Sequence, residues 1–258
     1  MEKFVRSAVT RFINEYPDRF GTATRWREPL VAFADAADPL FPELKSIVIP
    51  SHAAPGDLLA GARTVICWFV PFTRELGRLN YDGSYAHESW AVAYVETNRM
   101  LAELCRRIAA MLEAQGERCA VLPPTHNYYP KKLVSDWSHK SAAYIAGLGR
   151  FGLNRQMITE QGCCGRLGSL VTTAAMEPTP RPQHEHCLYL HDGSCAKCAQ
   201  RCPIQCLTKQ DYDRRACHLR LRENERIFEY IGLADVCGKC VANLPCSYRI
   251  PAPSIMPL

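Results

Sequence analysis

The chain has 258 residues, 47% of them hydrophobic and 22% charged, with a formal charge of +5 and fourteen cysteines. Folding at this length removes roughly 70–75% of the unfolded surface from water, so a core forms without staples, and the composition excludes a disordered, collagen-like or coiled-coil chain. No apolar run approaches the ~20 residues of a membrane span and the opening Met1-Glu2-Lys3-Phe4-Val5-Arg6 lacks a signal-peptide h-region, so a soluble cytoplasmic protein is expected.

In chain order, Arg63 to Phe72 is β-branched and aromatic and reads as a buried strand. Ser84 to Gln115 reads as the strongest helix, stopped by Gly116. Trp90, Ala93, Thr97, Leu101, Leu104, Ile108 and Leu112 recur there at three- and four-residue steps, the pattern of one buried face. A shorter helix is predicted over Trp137 to Leu148, and a strand over Gly168 to Thr173. Glu177-Pro178-Thr179-Pro180-Arg181-Pro182 then marks a boundary, because three prolines in five residues continue neither a helix nor a central strand. Beyond it the pattern turns to short loops rich in Cys, Gly and Pro, interrupted by a helix over Arg214 to Ile231. Two units are expected: residues 1–180 as an α/β domain that binds cofactor and substrate, and 181–258 as a cysteine-rich module.

Nine of the fourteen cysteines fall in the last 72 residues. In a reducing compartment such density, with C-x2-C spacing, points to metal or cluster ligands rather than disulfides. Cys195-x2-Cys198-x3-Cys202-Pro203 is the end of the bacterial ferredoxin run C-x2-C-x2-C-x3-C-P. Asp192 stands where the first ligand of that run would fall, and Cys187 is its nearest replacement. Cys217 and Cys237-x2-Cys240-x5-Cys246 follow. Setting aside Cys206 leaves eight, enough for two [4Fe–4S] clusters. In two-cluster ferredoxins the fourth Cys of each run ligates the other cluster. That rule assigns Cys187, Cys195, Cys198 and Cys246 to one cluster, and Cys202, Cys217, Cys237 and Cys240 to the other, with Cys206 as the alternative to Cys217. Paired C-x2-C units also describe zinc ribbons, but zinc leaves Cys-Pro and four surplus ligands unexplained. Two clusters at roughly −2 each would bring the holoprotein to about +1, so the basicity reads as local compensation and not as a nucleic-acid footprint.

Ser135-Asp136-Trp137-Ser138-His139, Ala142-Ala143-Tyr144-Ile145-Ala146-Gly147-Leu148-Gly149, Phe151-Gly152-Leu153, Arg166-Leu167-Gly168-Ser169 and the two cysteine runs together carry a family likeness. The chain resembles the epoxyqueuosine reductase-like iron–sulfur proteins, relatives of the cobalamin-dependent reductive dehalogenases. The resemblance implies an α/β fold with a nitroreductase-like N-terminal domain holding cobalamin, followed by a ferredoxin-like two-cluster module. It implies an oxidoreductase whose clusters pass single electrons to cobalt, while the protein supplies orientation, a dry site and a proton. A flavin is the alternative cofactor, and an electron carrier or corrinoid activator the alternative function.

The site residues expected on this basis are Asp136 and His139 as the catalytic acid pair, three apart on one helical face. The Gly147-x-Gly149-x-x-Gly152 turn is expected beside the corrinoid, and Arg166 against its phosphate. Gly147 reads as a helix C-cap rather than as the opening of a dinucleotide site. The basic stripe Arg214, Arg215, Arg220, Arg222 and Arg226 is a docking face for a ferredoxin- or flavodoxin-type donor, or a solvated helix paired with Glu223, Glu225 and Glu229. Cys163-Cys164 reads as an incidental pair. The chain ends twelve residues after Cys246, short of the helical-repeat region with which epoxyqueuosine reductases hold tRNA. A small-molecule substrate, deoxygenated or dehalogenated, is therefore expected in place of tRNA.

Overall fold

The computed structural model describes residues 1–124 and 126–253. Helix α1 (Glu2–Phe20) leads into β1 (Leu30–Asp35), the short α2 (Leu40–Ile47) and α3 (Pro55–Leu58), then β2 (Thr64–Pro71). Next come α4 (Arg74–Leu79), α5 (Glu88–Glu113), β3 (Cys119–Val121) and the hairpin β4 (His126–Tyr129) and β5 (Val134–Trp137). Helix α6 (His139–Ile145), the hairpin β6 (Gly149–Phe151) and β7 (Met157–Thr159), and β8 (Gly165–Thr172) follow. The cysteine-rich region carries α7 (Leu188–Asp192), α8 (Lys197–Gln200) and α9 (Arg214–Ile227). None of these helices is long and apolar enough to cross a membrane.

The main sheet runs β1-β2-β8-β3, each neighbouring pair antiparallel. All eight residues of β2 are buried, as its unbroken apolar sequence requires of a strand covered on both faces. The two-residue period of a strand sorts them into two cores. Ile66, Trp68 and Val70 pack with Val5, Val9 and Ile13 of α1 and Leu104 and Ile108 of α5. Val65, Cys67 and Phe69 pack with Phe41 of α2 and Ala142, Ala143 and Ile145 of α6. The result is a mixed α/β sandwich with helices on both faces of the sheet. Gly168 lies opposite Trp68 in the β2–β8 register. A Cβ there would come within 2.3 Å of the indole nitrogen, so the large ring requires a glycine beside it.

The cysteine-rich region does not stand apart from the sandwich. Phe72, Leu76 and Trp90 share a core with Phe228, Ala234, Val236 and Tyr248. Leu153, Ile158 and Cys163 share another with Cys187, Cys198, Leu207 and Leu244.

Element ends shift by a few residues from the sequence reading throughout, as in α5, which starts at Glu88 in place of Ser84, and two of these shifts bear on the expected site and on the core. The helix expected from Trp137 begins at His139, because Trp137 pairs with His126 in the β4–β5 ladder and Ser138 caps the helix, accepting from Ser141 N at 3.1 Å. Asp136 therefore sits on a strand, and the shared helical face with His139 does not form. Helix α9 ends at Ile227, four residues early, where Phe228 turns into the core.

Candidate functional site

The eight cysteines gather into two groups. Cys187, Cys195, Cys198 and Cys246 line one pocket, walled by Leu153, Ile158, Leu244, Pro245 and Pro251. Cys187 sits at the N-terminus of α7 and Cys198 inside α8. Burial, then the neighbouring Cys246, Cys187 and Cys195, push the Cys198 thiol up to about 12. In the second group burial raises the Cys240 thiol, with Cys237, Cys217, Cys198 and Cys202 adding to it. Cys237 is raised by burial and then by Cys217 and Cys202. Every cysteine is free.

This donor set fits a cluster. Crowded, buried thiols resist ionising unless a cation repays them, and a metal centre does so. Among the described residues no three His, Cys, Asp or Glu side chains converge on a single-ion site, whereas a cubane spreads its four thiolates over four irons. Lys239, between Cys237 and Cys240 in sequence, is only 1% exposed. Its ammonium donates to the backbone carbonyls of Asn80 at 2.9 Å and Asp82 at 2.6 Å. Burial lowers its pKa and Cys237 opposes that, so it is a buried cation held beside a thiolate group that an iron–sulfur centre leaves negative.

Two further cysteines stand against the groups. Cys163 Sγ lies 3.7 Å from Cys246 Sγ, and Cys206 Sγ lies 3.3 Å from Cys202 Sγ. Spacing could not single out Cys163, which lies 83 residues before Cys246; the sequence showed only a cysteine pair in a glycine-flanked turn.

Near the second group lies a set of cationic and phenolic side chains. Lys140, exposed on the first turn of α6, donates to the Arg155 carbonyl at 3.4 Å. Desolvation lowers its ammonium first, then repulsion from Arg214 and Arg166, while Cys240 and Cys217 oppose the shift. Arg166 donates to Asn98 at 2.7 Å and lies over the Tyr94 ring at 4.2 Å. Tyr94 in turn donates to Asp235 at 2.6 Å. The Tyr128 phenol on β4 is raised by partial burial and by Asp235 and lowered by Arg222. These side chains come from separate segments of the chain, and the sequence reading named Arg166 by resemblance and Arg214 and Arg222 only within the α9 stripe.

The catalytic candidates sit at the end of the β4–β5 hairpin. Asp136 is 8% exposed; its carboxylate accepts from Ser51 Oγ at 2.6 Å and from the Tyr129 hydroxyl at 3.1 Å. His139 is bound at both ring nitrogens, Nδ1 to Ser169 Oγ at 2.8 Å and Nε2 to the Pro123 carbonyl at 2.9 Å. Ser169 also accepts from Trp137 Nε1 at 2.9 Å, which ties His139 to the sheet. Asp136 and His139 thus belong to different hydrogen-bond networks.

The glycine turn is shaped by packing. Gly147 follows α6 at φ 81 and touches the Thr179 and Pro180 carbonyls, and a Cβ on Gly149 would meet the Ile158 carbonyl at 2.2 Å. Gly152 sits against Ile158 and Asn154. Gly147 also lines an open cavity of about 560 Å³ with Glu28, Val31, Glu160, His184 and His186. On α9, Arg220 pairs with Glu223 at 3.2 Å and Arg222 with Glu225, the internal ion pairs that the sequence suggested, though the Arg220 and Glu225 side chains are largely buried.

No protein-family model and no curated protein matches the chain. Solved structures do. The chain is similar to an epoxyqueuosine reductase from Streptococcus thermophilus, at 17% identity and a TM-score of 0.54, over 91% of this chain and 65% of that one. It is similar to one from Bacillus subtilis with its catalytic aspartate loop swung out of the active site, at 17% identity and a TM-score of 0.54, over 94% and 66%. A third is an epoxyqueuosine reductase with a tRNA-Tyr epoxyqueuosine-modified stem loop, at 17% and 0.53, again over 94% and 66%. The chain therefore has the fold of epoxyqueuosine reductases and spans about two thirds of their length. The third structure also corrects the expectation of a small-molecule substrate in place of tRNA: an epoxyqueuosine reductase of this fold is seen with a tRNA stem loop.

Proposed function

We propose that the chain is an iron–sulfur reductase acting on a modified base of tRNA, with two [4Fe–4S] clusters and a cobalamin. The observation that carries this reading is the grouping of eight thiols, with cationic side chains close to the second group. Cys187, Cys195, Cys198 and Cys246 would hold the first cluster, and Cys202, Cys217, Cys237 and Cys240 the second, which lies within electrostatic range of Lys140. Residues 181–258 supply the ligands, apart from the walls lent by Leu153 and Ile158. The resemblance noted in the sequence and the shared fold both favour a nitroreductase-like frame for the remainder.

Cobalamin, when bound, supplies a low-valent metal that reduces the substrate carbon. The chemistry of these side chains suits such a group and a polyanionic substrate alike, because Lys140, Arg166 and Arg214 present cations and Tyr94 and Tyr128 present rings. Lys140 and Arg166 would orient phosphates. Asp136, positioned by Ser51 and Tyr129, holds the proton that the reduced carbon or departing oxygen takes up. His139 fixes the start of α6 through Ser169 and Pro123 and so positions Lys140, its neighbour in the first turn.

The test is anaerobic purification, iron and sulfide analysis, and cobalamin titration of the reconstituted protein, followed by reaction with an epoxyqueuosine-containing tRNA stem loop under dithionite. About eight irons per chain, base-off corrin bands at one equivalent and conversion to queuosine are expected. Zinc without iron would overturn the cluster assignment. Eight irons without corrinoid binding would overturn the cobalamin step and favour a flavin.

A further inference from the structure

We propose that each cluster carries a fifth, non-ligating cysteine whose thiol donates a hydrogen bond to one ligand thiolate, Cys163 to Cys246 at the first cluster and Cys206 to Cys202 at the second. The inference rests on the cluster assignment above and adds the control of potential to it.

At the first cluster, Cys246 lines the pocket with Cys187, Cys195 and Cys198, while Cys163 does not. Cys163 stands behind Cys246, 4% exposed, with the sulfurs 3.7 Å apart. Asn154, itself 4% exposed, occupies the other side. One of its amide hydrogens goes to Cys163 Sγ at 3.8 Å, the other to the Cys240 carbonyl at 2.8 Å. With its lone pair engaged by Asn154, Cys163 has its S–H left for Cys246. Backbone bonds hold the register: Cys163 N donates to the Cys246 carbonyl at 2.9 Å, and Cys164 N to the Ser247 carbonyl at 3.0 Å.

At the second cluster, Cys206 is 8% exposed and four residues from Cys202 in an irregular turn, with the sulfurs 3.3 Å apart. Its carbonyl accepts from Asp213 N at 2.7 Å. That bond ties it to the N-cap of α9, the helix that brings Cys217, whose thiol Cys206 also meets. Each arrangement sets a buried thiol against ligands of a full set of four.

A hydrogen bond to a ligand sulfur draws charge from it. The reduced cluster carries one more negative charge and gains more from the bond, so the donor raises the reduction potential. Two donors on two clusters give the chain a separate control over each.

The experiment uses reconstituted wild-type protein, Cys163→Ala, Cys163→Ser, Cys206→Ala and Cys206→Ser, with iron content and an EPR-monitored redox titration of each. All five are expected to keep about eight irons. Each alanine variant should shift one of the two midpoint potentials downward and leave the other, and each serine, which keeps a donor, should restore most of the shift. Loss of about half the iron in an alanine variant would overturn the proposal by making that cysteine a ligand. Full iron with both potentials unmoved would overturn it by leaving the cysteines a packing role. A wild-type protein that takes up no iron–sulfur cluster would defeat the proposed function itself, before the variants are compared.

Discussion

The sheet sandwich and the cysteine-rich region are held together by different physics. Around β2, side chains such as Trp68, Phe33, Leu104 and Ile108 are at most 1% exposed, and burial of that surface is enough to order the strands. The cysteine-rich region has helices of five and four residues, α7 and α8, too short to persist alone. Its local core is built partly from cysteines and borrows Leu153 and Ile158 from the β6–β7 region. One region is a hydrophobic fold in its own right; the other leans on cores shared with it and, in the reading proposed above, would be held locally by its clusters.

The largest expected effect follows from that contrast. Chelating the iron should cost residues 187–246 their protection in hydrogen exchange while β2 and β8 keep theirs; equal loss in both would erase the distinction. Next comes chemistry: Asp136→Asn should slow single-turnover reduction by about 10²–10⁴ with the cluster spectra unchanged. An unaltered rate would remove Asp136 from the mechanism. Within the sandwich, Leu104→Ala should cost about 2–5 kcal/mol in denaturant unfolding without altering iron content; a variant that loses iron would mean the regions fold as one.

The smallest effect is a pH dependence lodged on the sandwich side. His52, 1% exposed, accepts from Ser138 N at 3.0 Å through Nε2 and is bound to the Ala53 carbonyl through Nδ1 at 2.9 Å. Burial lowers its pKa, with the Ala53 bond and Asp136 opposing. The unfolded chain then binds the proton more readily, so stability is present at pH 7 and is lost as pH falls below about 6.5. Unfolding midpoints measured from pH 7.5 to 5 should show a decline that His52→Gln flattens.

The same contrast explains what could be read from sequence. Strand β2 and helix α5 were legible because each repeats its own period over many residues, and the grouping of Cys195 with Cys198 because they lie within one short window. The start of α6 was not, since His126 claims Trp137 for a strand from eleven residues away. Cys163, Lys239 and Lys140 take their meaning from partners far along the chain, and no window contains both members of such a pair. Reading substrate from chain length failed for a different reason, because length says nothing about which surface meets a nucleic acid.

Tyr248 lies flat against Gly77 of α4, where even a methyl group would fall 1.8 Å from its hydroxyl oxygen. Two residues earlier Cys246 is fastened to Cys163 along the backbone. Cys246 is thus clamped from the sandwich on two sides, and the cysteine-rich region is not a lobe on a linker. In the proposed reading its ligands would stay put between oxidation states, and a bulky substrate would be admitted by movement elsewhere, as at the exposed Tyr128 and Tyr129 of the β4–β5 hairpin.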